Sequence, residues 1–161
     1  MSTAPYGLHQ WPTEPQLLFL KAVLLKGDPA LDAWQSWQQR NNLSDIDAGS
    51  FLVIPQLYLN LRRHDVKGAT MNKLRGVYRQ TWARNEIALH GLVQVTSSLQ
   101  QHDISSVVIK GMPLALFCYE DPGARTMFDL DLLVAERDFP RTVDLFRQLG
   151  WSTIHGGRDV P

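Results

Sequence analysis

Apolar residues recur along this chain first at the spacing of helices and then at that of strands. From Pro15 to about His102 they return every three to four residues, with punctuation at Gly27-Asp28-Pro29, Asn41 to Ser44 and Asp65 to Thr70. This predicts four helices. The first, Pro15 to Leu25, is apolar on most sides, and the second, Ala30 to Arg40, brings Leu31, Trp34, Trp37 and Gln38 to one side. The third runs from about Asp45 to Arg63 with Phe51, Ile54, Leu57, Tyr58 and Leu61 on one face. Pro55 should kink or restart it, because proline has no N–H to donate and crowds the preceding turn. The fourth and longest, Met71 to Gln101, carries the stripe Leu74, Tyr78, Trp82, Leu89, Leu92, Val93 and Leu99. Aromatic residues at this spacing read as core, with stacking on a base as the other use of the same side chains.

After Asp103 the period changes. Ile104 to Ile109, with the run Val107-Val108-Ile109, reads as a buried strand ending at Lys110-Gly111. Pro113 suits a first helical turn, and Leu114 to Tyr119 form a short helix halted by Asp121-Pro122-Gly123. Thr126 to Val134 reads as a second, mostly buried strand. Phe139, Val143, Phe146 and Leu149 mark a further helix with Gly150 as its cap, and Trp151 to Ile154 begin a third strand. The expected fold class is α+β: a helical N-terminal half, residues 1–102, packed on a small mixed β-sheet in residues 103–161.

Composition makes this an ordinary globular chain. It has 161 residues, 44% hydrophobic and 20% charged, with no repeat or low-complexity tract. The apolar stretches Leu17 to Leu25 and Val107 to Tyr119 are short and broken by Lys21 and Lys110, so no membrane partner is expected. Met1 to Trp11 lacks a basic and an apolar leader region, and Cys118 is the sole cysteine, which together favour a reducing cytoplasm. The formal net charge is zero, yet the stretch from Arg62 to Arg84 holds Arg62, Arg63, Lys67, Lys73, Arg75, Arg79 and Arg84 against Asp65 alone. It is either a solvated helix face or a surface for a polyanion.

The sharpest chemical feature is Asp129-Leu130-Asp131. In an extended strand residues two apart share a face, so both carboxylates converge on one point. Hard oxygen donors in that number suit Mg²⁺ (or Mn²⁺), which binds one or two protein carboxylates and fills its remaining positions with water and phosphate. Capping, or pairing with Arg125, would use the same residues differently. Lys110-Gly111 closes a strand and opens a helix, leaving backbone N–H groups and a positive dipole end toward a bound anion. The glycine allows close approach and the lysine adds a point charge; the plainer reading is an exposed lysine at a strand end.

Taken together, Arg84-Asn85, Val108-Ile109-Lys110-Gly111, Leu114-Ala115, Tyr119, Arg125, Asp129 to Val134 and Leu149-Gly150-Trp151 resemble the uncharacterised nucleotidyltransferase family of the DNA-polymerase-beta-like superfamily. The resemblance implies a nucleotidyltransferase-type sheet, a nucleoside triphosphate held by Lys110, Gly111 and Arg125, and Mg²⁺ held by catalytic Asp129 and Asp131. Two departures stand out. The superfamily's phosphate turn carries Gly-Gly or Gly-Ser, whereas Lys110-Gly111-Met112 has one glycine and no hydroxyl; a lysine before the glycine is how this family reads. The superfamily's third carboxylate lies on a later strand, and Asp159, the one acid after the last helix, is a poor substitute. The chain is therefore expected to be the front part of a longer protein, with an incomplete sheet that exposes an edge for self-association and with impaired turnover.

Other chemistries lack their motifs: there is no Gly-x-Ser-x-Gly, no Walker loop and no Gly-x-Gly-x-x-Gly. The five histidines are too far apart for local zinc spacing and are expected to be structural or exposed. The leading expectation is Mg²⁺-dependent transfer of a nucleotidyl group to an unknown acceptor. Its alternative is a catalytically inert nucleotide-binding or protein-interaction module of the same fold.

Overall fold

The computed structural model describes residues 11–152. Helices predominate: α1 (Glu14–Leu24), α2 (Asp28–Gln38), α3 (Ala48–Phe51), α4 (Ile54–Arg63), α5 (Ala69–Gln101), α6 (Gly111–Phe117) and α7 (Phe139–Gln148). Two strands, β1 (Ser106–Ile109) and β2 (Asp131–Val134), complete an α+β fold. The chain packs as two compact units, one holding the residues up to Asn85 with Ala115–Met127, the other Glu86–Leu114 with Phe128 onward. The division by packing falls inside α5, whereas the hydrophobic period changes at the end of that helix.

The first unit is built on α1, α2, α4 and the start of α5. Phe19, Leu57, Leu61 and Leu74 are fully enclosed, with Trp34 and Trp37 stacked beside Phe19. Thr13 and Gln16 form a capping box at the head of α1, and Asn60 donates to the carbonyls of Ala22 and Leu25, each at 2.8 Å, at its tail. The expected third helix is two helices. Asp47 caps the four-residue α3 by accepting from the N–H groups of Gly49 and Ser50; the helix breaks at Leu52-Val53, and α4 restarts with Pro55 in its first turn. A proline there has no intrahelical N–H to forfeit.

The apolar stripe of α5 holds only in part. Leu74, Leu92 and Leu99 are buried, but Trp82 and Val93 are 46% and 56% exposed. Steps of four overshoot a 3.6-residue turn, so a stripe read from Leu74 through Tyr78 to Trp82 rotates off the buried side.

In the second unit β1 and β2 pair antiparallel, Ser106 opposite Val134 and Ile109 opposite Asp131. Leu132 and Val134 pack on a core of Val95, Leu99, Ile104 and Leu145. The two strands were expected to be mostly buried, yet Val107 and Leu133 are each 58% exposed and Phe128 is 71% exposed. Val107 and Leu133 are directly opposite each other on the face away from that core, and the packed helices cover the other face. Strand Thr126 to Val134 is also shorter than expected. Pairing stops at Ile109–Asp131 because Lys110 turns and Gly111 begins α6, leaving residues 126–130 without a ladder partner among the described residues.

Helix α7 is in place but its buried residues are Thr142 and Leu145, one step from the stripe that predicted it; Phe139 and Leu149 are exposed. Gly150, at φ 85°, caps it: its N–H donates to the Arg147 carbonyl and that of Trp151 to Phe146. Asp103, at φ 55°, ends α5 with the same pair of bonds. The sheet expected to be mixed is, among the described residues, one antiparallel pair. Trp151 and Ser152 are not in a strand, and the rest of the expected third strand lies outside the described residues. No described helix is long and apolar enough to cross a membrane.

Candidate functional site

The end of the β1–β2 ladder brings two separate motifs together. Antiparallel pairing sets the last residue of β1, Ile109, against the first of β2, Asp131, so the turn that leaves β1 lies beside the carboxylates that lead into β2. Lys110 occupies that turn at φ 60°, a left-handed conformation that side chains other than glycine adopt at a cost. The positive φ thus falls on Lys110, and Gly111 is already the first residue of α6.

The Lys110 ammonium donates to Asp131 Oδ1 at 2.7 Å. That hydrogen bond and the charge of Asp131 hold the lysine above its ordinary pKa, and the charge of Asp129 pushes it the same way. Asp131 is partly buried on the sheet face that carries Val107 and Leu133; Asp129 and Lys110 are exposed. One cation therefore sits in the field of both carboxylates. Carboxylates are hard oxygen donors, and the ammonium offsets part of their charge. Among the described residues no three His, Cys, Asp or Glu side chains gather as a metal-binding group, so the pair stands as two carboxylates.

Arg125 belongs to the other compact unit, so the five predicted site residues divide four to one. Its loop is tied down from α5. Asn85, 3% exposed, donates from Nδ2 to the carbonyls of Pro122 and Arg125, both at 2.7 Å. The Tyr78 hydroxyl donates to Asp121 Oδ2 at 2.7 Å, and Thr126 Oγ1 donates to the Leu52 carbonyl. Gly123 fits where any Cβ would lie 2.9 Å from the Tyr78 ring and 3.0 Å from Trp82 Cβ. Arg125 Nε and Asn85 Oδ1 are buried without a hydrogen-bond partner among the described residues.

Residues 52–159, about two-thirds of the chain, match the model of the uncharacterised nucleotidyltransferase family. The chain belongs to this family. The nucleotidyltransferase match takes in Lys110, Gly111, Arg125, Asp129 and Asp131 and the Asn85 tether, and begins before α4. No curated protein and no solved structure matches the chain.

Two roles in this nucleotidyltransferase arrangement escaped the reading of the sequence, although Arg84-Asn85 is among the residues that carry the family resemblance. Lys110 was expected to meet phosphate, not to serve as counter-ion to Asp131, and nothing in its own neighbourhood of sequence announces a partner 21 residues away. Asn85 was legible in principle. It continues the spacing of Leu74, Tyr78 and Trp82, and a polar residue on an apolar stripe signals a buried hydrogen-bond requirement. Of the histidines, His64 has a structural part, with Nε2 accepting from the Gly27 N–H at 3.3 Å.

Proposed function

We propose that this nucleotidyltransferase-family chain holds Mg²⁺ (or Mn²⁺) between Asp129 and Asp131 and takes the phosphates of a nucleoside triphosphate at the Lys110-Gly111 turn, for transfer of the nucleotidyl group to an acceptor. The observation that carries the reading is the placement of one ammonium against Asp131 within the field of Asp129. Both carboxylates can serve as hard oxygen ligands, and two of them leave most of an octahedral shell for water and phosphate. Mg²⁺ bound there would neutralise charge on the phosphate oxygens. The chain's own contribution is positional. Asp129 and Asp131 fix the point of positive charge, and Lys110, released from Asp131, has the reach and charge to meet a phosphate oxygen. Gly111 offers its backbone at the start of α6 without a side chain in the way. The lone Cys118, exposed as a free thiol, fits a reducing cytoplasmic setting.

Calorimetry with Mn²⁺ and a nucleoside triphosphate tests this, with the wild-type chain beside the Asp129→Asn, Asp131→Asn double variant. The wild type should bind metal weakly alone and more tightly with nucleotide, and the double variant should lose both effects. Equal metal and nucleotide binding by the two proteins would sink the assignment. Binding without transfer to any acceptor would leave the inert nucleotide-binding module as the function.

A further inference from the structure

The first compact unit carries a basic cleft that nucleotidyl transfer does not use. Arg62 at the end of α4, Lys67 in the turn that follows and Arg75 on α5 line one open cleft of about 470 Å³, with Tyr58 and Met71 in its wall. All three cations are exposed, and none takes part in an ion pair among the described residues. Arg62 is held in place over the Tyr58 ring, 5.7 Å from its centroid. A face meant only to be solvated interleaves its signs, because like charges at helical spacing repel. Here no acidic residue occurs from Val66 to Asn85, while Lys67, Lys73, Arg75, Arg79 and Arg84 do.

The face continues along α5. Arg79 lies one turn and Trp82 two turns beyond Arg75, about 6 Å and 10 Å further along the axis at 1.5 Å per residue. Arg79 is exposed, and Trp82 is 46% exposed although its Cβ is fixed beside Gly123. Several unpaired cations, followed on the same face by an anchored and open indole, are the two components of a single-strand platform: charge for the backbone and an aromatic face for a base. A duplex would satisfy the charges but keep its bases stacked away from the indole. An acidic protein would have no need of it.

We propose that this cleft and the adjoining face of α5 bind a single-stranded nucleic acid, with Arg62, Lys67 and Arg75 on phosphates and Trp82 on a base. The surface stands independently of the carboxylate site. The test is fluorescence anisotropy of a labelled, mixed-sequence 15-nucleotide RNA with the whole chain, titrated from low to moderate salt. The Arg62→Gln, Lys67→Gln, Arg75→Gln triple variant should bind at least tenfold more weakly at low salt. Its slope of log affinity against log salt should be shallower by about 2, at about 0.7 per phosphate contact on a single strand. Trp82→Ala should lose at least about fivefold in affinity with the slope unchanged, as expected for a stacking contact. Arg40→Gln removes an exposed arginine elsewhere in the same unit and should bind as the wild type does. Far-UV circular dichroism identical to wild type keeps each variant interpretable, since every residue changed is exposed. Wild-type affinity in the triple variant, an equal loss in Arg40→Gln, tighter binding of a duplex of the same length, or equal affinity for polyglutamate with no effect of Trp82→Ala would each overturn the proposal.

Discussion

Lys110 should act in opposite directions on metal and on nucleotide. Its ammonium lies 2.7 Å from Asp131 Oδ1, so a divalent ion that reaches Asp131 must displace it and then tolerate it nearby. The lysine side chain is 67% exposed and that of Asp131 25%, so displacement costs what a solvent-facing ion pair is worth, about two- to fivefold in affinity. Like-charge repulsion between the displaced ammonium and the ion, in near-aqueous screening, multiplies this by about as much again. Lys110→Met should therefore tighten Mn²⁺ binding in the absence of nucleotide by about fivefold to twentyfold at low salt, and the gain should shrink as salt rises. Methionine keeps an unbranched stem and the same left-handed backbone penalty at φ 60°, so folding stability does not confound the comparison. With nucleoside triphosphate present the same variant should bind more weakly, having lost the charge proposed to meet phosphate. Calorimetric titration of Mn²⁺, with and without nucleotide at two ionic strengths, reads both signs. Unchanged or weaker Mn²⁺ binding by Lys110→Met without nucleotide would show that the lysine does not compete for the carboxylates, and the reasoning would fail.

Three further outcomes follow from the packing. Asn85→Ala leaves the carbonyls of Pro122 and Arg125 without their donor in a site only 3% exposed, so urea denaturation should show a loss of about 2–4 kcal/mol, against less than about 0.5 for its exposed neighbour in Arg84→Ala. Asp103→Gly removes a side chain from the left-handed cap of α5 at φ 55° and should stabilise the chain by about 0.5–1 kcal/mol in the same assay. Burial, together with the hydrogen bond to Asp121, pushes the Tyr78 hydroxyl up to about 12 from 10.0. The folded chain keeps this proton longer than the unfolded one does, so the resulting stability is intact below pH 10 and lost as pH rises towards about 12; Tyr78→Phe should remove that part of the alkaline slope.

The sequence by itself determined the α+β class, the order of most elements and the family. Apolar spacing was enough to place the helices, because a helix is made by local bonds, but not to name every residue on the buried side of α5 and α7. Pro55, Gly150 and the turn at Asp65 to Thr70 marked ends for reasons of backbone geometry that act within a few residues. The pair Asp129 and Asp131 and the Lys110-Gly111 turn were visible as residue types suited to metal and phosphate, and the family match covers them all. What the sequence could not decide was set by partners distant along the chain. The length of β2 was fixed by where β1 stops pairing, the exposure of Val107 and Leu133 by which sheet face the helices cover, and the partner of Lys110 by the antiparallel register. The assignment of Arg125 to a different compact unit from the carboxylates is likewise a matter of packing. Each of these depends on a contact between segments whose separation no local period records, and tertiary structure supplies it through strand register and the burial of one face at the expense of the other.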